Sequence, residues 1–212
     1  GYRIPCDSSH WVGTLVIKTV AYGETELRSL RPNVPFTVNL DGGLEPESFF
    51  TWGPAVDILQ TDNYYEPRLA DSYAYYPNRI PLHGKPKVSY AVARSGTEGA
   101  SPNVFRHILY ANAGGDPVWP YPFPNSKHIE AYYSLAGGSK GMGYWWFNPP
   151  RGLNASKECA PLWKEMGLVG NEIKTARDLI IKSTPVTMTI TPNNANIWAR
   201  AVVSGLDALI LY

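Results

Sequence analysis

Strand-type and helix-type segments alternate along residues 24–181 with short connections, and this alternation constrains the chain more than any other feature. Glu24 to Leu30 has helical composition and stops before Arg31-Pro32, after which Pro35 to Asp41 reads as a strand closed by Gly42-Gly43. Pro46 to Trp52 predicts a short helix, and Ala55 to Asp62 a strand running into Asn63-Tyr64-Tyr65. Pro86 to Arg94 reads as a third strand that opens into a loop from Ser95 to Pro102 containing Glu98. Asn103 to Asn112 and Ser126 to Leu135 carry apolar residues at helical spacing and lead into a strand over 141–147. Ala160 to Ile181 predicts a long amphipathic helix stopped by Ser183-Thr184-Pro185. The expectation is a set of parallel strands near 35–41, 56–62, 87–94 and 141–147, their C-terminal ends on one rim.

Beyond residue 183 the pattern changes. Val186 to Thr191, Ile197 to Val203 and Ala208 to Tyr212 are β-type segments, the last two joined by the turn Ser204-Gly205-Leu206-Asp207, so an antiparallel β segment is expected. This divides the chain into an α/β portion, 1–183, and the start of a β-domain, 184–212. Right-handed crossovers let the first portion be an open doubly wound sheet or a barrel. Polar and aromatic residues gather after strand C-termini, where barrel active sites are built, and no Gly-x-Gly-x-x-Gly or phosphate loop follows a strand. Both observations favour a (β/α)8 TIM-barrel type, a partial one, because about 250 residues make eight units.

Residues 136–150 combine glycine punctuation with four consecutive aromatics, Tyr144, Trp145, Trp146 and Phe147. Side chains of an extended segment alternate faces, so these rings cannot all enter one core. At least one is free to line an open site, where a flat ring suits a sugar; the alternative is that both tryptophans fill a buried sheet. The stretch Asp116 to Pro124 carries Trp119 and Tyr121 between prolines, which forbids helix and suits a subsite wall or a rigid connector.

With 212 residues, of which 44% are hydrophobic and 17% charged, the chain can bury a core. A net charge of +1, with scattered basic residues, gives no electrostatic reason for nucleic acid or a membrane surface and suits neutral substrates. No apolar run reaches the roughly 18 residues of a spanning helix. The residues His10, His83, His107 and His128 lack metal-ligand spacing, so neither a metal nor another cofactor is expected. Cys6 and Cys159 can form at most one bridge and leave the compartment open, an extracellular or periplasmic one included. Gly1 in place of an initiating Met points to a processed product or a piece of something longer. No Gly-x-Ser-x-Gly or Cys/His pattern supports a nucleophilic hydrolase of another class.

Several marks coincide: Asp62-Asn-Tyr-Tyr65, the Lys85-Pro86 lead, Ala136-Gly-Gly-Ser-Lys-Gly-Met-Gly-Tyr-Trp-Trp146, Leu162-Trp-Lys-Glu-Met-Gly167 and Ser204-Gly-Leu-Asp-Ala-Leu209. Through them the chain from about Pro32 to Tyr212 resembles the C-terminal half of a retaining (β/α)8-barrel glycoside hydrolase of the β-galactosidase and cellulase superfamily, followed by the start of a β-sandwich. The resemblance implies that Tyr64 or Tyr65 supports a nucleophile, that the nucleophile lies in the vicinity of Arg94 to Glu98, and that Trp145 or Trp146 underlies the sugar. It also implies that an Asn-Glu general acid lies upstream, so the other half of the barrel joins an oligosaccharide or polysaccharide as an expected partner.

Retention needs two carboxyl groups about 5–5.5 Å apart, and inversion about 6.5–9.5 Å. Asp41, Asp62, Glu66 and Glu98 are the candidates, and each also has a structural reading as a turn, capping or solvated residue. Asp62 and Glu98 are the expected catalytic pair, with Tyr64, Tyr65, Arg94, Trp119, Trp145 and Trp146 as the substrate-binding set. A non-catalytic carbohydrate-binding or structural domain is the alternative function.

Overall fold

The computed structural model describes residues 22–40, 46–62, 85–111, 122, 124–145, 159–185, 190, 193–194 and 197–212. Helix α1 (residues 22–30) precedes β1 (Thr37–Leu40), α2 (Pro46–Trp52) and, after the short 3-10 turn Gly53–Ala55, β2 (Ile58–Thr61). Next come α3 (Lys85–Ala100), β3 (Val104–Tyr110), α4 (Pro124–Ala136), β4 (Gly141–Trp145) and the long helix α5 (Ala160–Lys182). Strands β5 (Thr184–Pro185), β6 (Arg200–Ser204) and β7 (Asp207–Leu211) end the chain.

The fold is mixed α/β. Strands β1 to β4 form one sheet in sequential order, and every neighbouring pair is parallel. A separate sheet, β5-β6-β7, is antiparallel. The tight β6–β7 turn is made possible by Gly205, whose φ of 61° is the left-handed conformation that glycine adopts without penalty.

Two elements differ from the sequence expectation, and they exchange places. Lys85 to Ala100 is a helix, where Pro86 to Arg94 was expected to be a strand, and Val104 to Tyr110 is a strand inside the expected helix Asn103 to Asn112. In α3 the residues Ser89, Ala93, Gly96 and Ala100 are buried, a spacing of four, three and four that lays one narrow stripe of small side chains on the sheet. A Cβ on Gly96 would stand 2.2 Å from the Phe105 ring, so only glycine allows this approach. In β3, by contrast, Phe105, His107 and Leu109 are buried while Val104 and Arg106 are exposed, a period of two. Pro86 falls in the first turn of α3, where a missing N–H costs nothing, so proline marks a helix start here rather than a strand.

Register fixes the two faces of the parallel sheet, because paired residues of parallel strands point the same way. Val38 and Leu40, Leu59 and Thr61, Phe105, His107 and Leu109, and Met142 and Tyr144 form one face. The crossover helices cover it. Phe49 of α2 meets Phe105 edge-on with centroids 6.0 Å apart, Ala93 and Ala100 of α3 join Leu40, Leu59 and Phe105, and Leu109 packs with Ala131 of α4 and Val169 of α5. The opposite face carries Thr37 and Asn39, Ile58 and Gln60, Val104, Arg106, Ile108 and Tyr110, and Gly141, Gly143 and Trp145. These residues are exposed or half-buried except Tyr110, which is buried.

The antiparallel sheet is docked on the helices. Trp198 stacks on Tyr133 of α4 with centroids 3.7 Å apart, Tyr90 of α3 meets it edge-on at 5.4 Å, and the Arg200 guanidinium lies 4.8 Å from its ring. Leu209 and Leu211 of β7 join Leu135, Ala136 and Ile180 in one apolar cluster. Between the sheets Lys140 donates to the carbonyls of Ile180, at 2.7 Å, and Ser183, satisfying acceptors left over at the C-terminus of α5. Burial pulls the Lys140 ammonium below its ordinary pKa. At the other end of the chain, Arg28 of α1 bridges Glu24 and Asp57, and Asp57 also accepts from the Phe36 amide at 2.7 Å.

Candidate functional site

The C-terminal ends of β1 to β4 define one rim of the sheet, and two of the expected site residues stand on it. Asp62 follows the last residue of β2, its amide donating to the Leu40 carbonyl at 3.3 Å and its Oδ1 buried. Trp145 ends β4, half-buried, with its carbonyl accepting from the Ala111 amide at 2.7 Å. By alternation both side chains belong to the face that the helices do not cover. Tyr144, between Gly143 and Trp145, turns the other way, packing against Leu109 and Leu162 from the helix layer. Burial, reinforced by the Glu130 charge, raises its phenol far above the ordinary value and keeps it protonated.

Glu98 is elsewhere. It lies in the last turns of α3, which runs back from the rim, so its carboxylate sits toward the N-terminal end of the sheet. Arg94, one helical turn earlier, donates to it over 2.5 Å and to the Pro185 carbonyl over 3.2 Å. Arg94 therefore ties α3 to the antiparallel sheet, and Glu98 and Asp62 are not brought together. The physical reason is the exchange described above: a helix over 85–100 carries Glu98 a full sheet length away from the rim. Tyr64, Tyr65, Trp119 and Trp146, with Asp41 and Glu66, lie outside the described residues, as does Cys6; Cys159 is buried at the start of α5.

Two groups were not anticipated from sequence. The first is a buried polar seam on α4. Lys127 and Glu130, 1% and 7% exposed, pair with each other, Ser89 of α3 donates to Glu130 at 3.4 Å, and the Lys127 ammonium lies 5.6 Å from the Tyr110 ring centroid. One turn on, Ser134 Oγ is 3.1 Å from His107 Nδ1. Lys127, Glu130, Ala131 and Ser134 share one helix face, and their shared spacing is the one trace of the seam in the sequence. The second is Arg106, exposed on the uncovered face in the row Asn39, Gln60, Arg106, Gly141. Alternation of Val104, Arg106, Ile108 and Tyr110 with buried neighbours was the available signal.

Among the described residues no three His, Cys, Asp or Glu side chains are placed to hold a metal, and no helix is long and apolar enough to cross a membrane. His128 illustrates the first point: its two ring nitrogens face Glu165 at 2.5 Å and Glu172 at 2.8 Å in opposite directions, which spreads the carboxylates apart instead of converging them. Tyr132 completes that cluster by donating to Glu172 at 2.7 Å, and burial together with this bond pushes its phenol up to about 12.

In comparison with known proteins, the chain matches no family model, and no curated protein resembles it significantly.

Proposed function

We propose that the parallel sheet is part of a (β/α)8 barrel whose C-terminal rim binds a carbohydrate, in the manner of a glycoside hydrolase. One observation carries the reading. Sequential strand order with the described crossover helices on one face supports it, because a barrel has this order and keeps its helices outside, whereas a doubly wound sheet reverses its strand order and covers both faces. Trp145 supplies the flat ring and Asp62 a carboxylate on that face. Hydrolysis needs a second carboxyl group across the sugar, and Asp41 and Glu66 are the remaining candidates in the sequence.

The test is a glycan-array screen of the purified chain, followed by hydrolysis of aryl glycosides by wild type, Asp62→Asn and Trp145→Ala. Binding lost in Trp145→Ala and turnover lost in Asp62→Asn support the hydrolase reading. Failure to bind any glycan overturns it. The separation of Glu98 from Asp62 favours a second reading, a carbohydrate-binding domain without catalysis, for which glycan binding without turnover is the expected result.

A further inference from the structure

We infer that the sugar recognised on this face is acidic, its carboxylate held by Arg106 beneath the Trp145 ring; this rests on the carbohydrate reading above. The geometry of β4 makes room for it. Gly141 and Gly143 are the two residues of β4 that precede Trp145 on the uncovered face, and neither has a side chain. The Arg106 side chain lies in the channel they leave. A Cβ at Gly141 would touch its Cγ at 3.6 Å and Cδ at 3.9 Å, and a Cβ at Gly143 would meet Nη2 at 2.8 Å, Cζ at 3.5 Å and Nε at 3.6 Å. The chain of Arg106 therefore runs along β4 from 141 toward 143, carrying the guanidinium up toward the rim. Trp145 is two residues farther on, about 6.6 Å along the strand.

Among the described residues the cation has no carboxylate partner. Arg28, Arg94 and Arg177 each pair with an acidic side chain, whereas no carboxylate among the described residues lies within ion-pair distance of Arg106. Its neighbours in the row are the amides of Gln60 and Asn39, which can donate to hydroxyls and cannot neutralise it. A guanidinium presents paired N–H donors in a plane, the complement of a carboxylate. An aromatic ring with a forked cation below it on a channel floored by glycine fits a pyranose bearing a carboxyl group, that is, a uronic acid. The small net charge of the whole chain is no obstacle, because recognition depends on the local field.

The experiment is calorimetric titration of the full chain with short oligomers of galacturonate, glucuronate and mannuronate, each beside its carboxyl-reduced neutral counterpart. Wild type should prefer one acidic oligomer by about tenfold or more, roughly 1.4 kcal/mol, and the preference should shrink as salt is raised. Arg106→Gln should bind the acidic and neutral oligomers alike. Arg106→Lys should keep part of the preference, and Gly143→Ala should reduce it by displacing the guanidinium. Thermal unfolding of each variant checks that it is folded. Equal wild-type affinity for acidic and neutral oligomers, or a preference that survives Arg106→Gln, overturns the inference and leaves the carbohydrate reading standing. Binding confined to other neutral glycans does the same, while binding to no glycan at all overturns both.

Discussion

The two faces of the parallel sheet come from the same four strands and could hardly differ more. The helix-covered face is mostly apolar and close-packed: Leu40, Leu59, Phe105 and Leu109 are buried beside Thr61 and His107, and α3 approaches so near that Gly96 and Gly99 leave no room for a Cβ against Phe105 and Phe49. On the other face, one residue out of register with the first, stand Asn39, Gln60, Arg106 and Trp145. A one-residue shift in pairing would exchange the two sets, so register is held by the cost of burying Arg106 and Gln60. The close-packed core thus lies on one side, while the other carries most of the sheet's polar side chains.

The comparison breaks first if the covered face is dispensable. Phe105→Ala should cost about 3–5 kcal/mol in urea unfolding, because it empties the contact with Phe49 and the floor beneath Gly96. Lys127→Met should be nearly as damaging, about 3 kcal/mol or more, since it strands the Glu130 carboxylate in a buried setting. The double variant Lys127→Met/Glu130→Leu should recover much of that loss, and equal destabilisation of single and double variants would show that the pair's charge is not what matters. On the uncovered face the signs reverse. Trp145→Ala should change the unfolding midpoint little yet weaken glycan binding about tenfold or more, about 1.4 kcal/mol.

Two smaller effects sharpen the contrast. Glu98→Gln should shift stability by about 0–1 kcal/mol, as expected of a half-exposed pair, and leave glycan binding untouched because Glu98 is remote from the rim. Asp57 is held below its ordinary value near 3.8 by the Arg28 hydrogen bond and then by the Phe36 amide. Its folded pKa is depressed, so its contribution is present above the unfolded value and lost as pH falls through the folded one. Unfolding temperatures of wild type and Asp57→Asn should therefore converge as pH is lowered beneath about 3.8, with the wild type ahead above it.

Much of the architecture could be read from residues alone. Pro46 to Trp52, Ser126 to Leu135 and Ala160 to Ile181 carry helix periodicity strong enough to survive folding, and the strands around 37–40, 58–61 and 141–145 are bounded by turn chemistry. The error at 85–110 arose because Val88, Tyr90 and Val92 mimic a strand's alternation, while the apolar residues of 103–112 are dense enough to satisfy either period. That error displaced the candidate site with it. Placing a strand at 86–94 put Glu98 on the rim, and placing a helix at 103–112 hid Arg106, whose facing is defined only in a strand. Asp62 and Trp145 do stand at the rim, because they sit at strand ends that turn residues punctuate. The Lys127–Glu130 pair was not found, because a buried charge violates the very pattern used to locate a core.

The stack of Trp198 between Tyr133, Tyr90 and Arg200 bears on how such a chain can be rearranged over generations. A hairpin whose tryptophan is an interior member of its neighbour's aromatic cluster is poor material for recombination. Moved to another protein, it would carry an exposed indole and leave a hole over α4. A partner sequence that replaced it would have to supply a ring of the same size at the same place. Exchange at the 183/184 junction is therefore expected to preserve an aromatic residue at position 198 more stringently than the β6 and β7 residues around it.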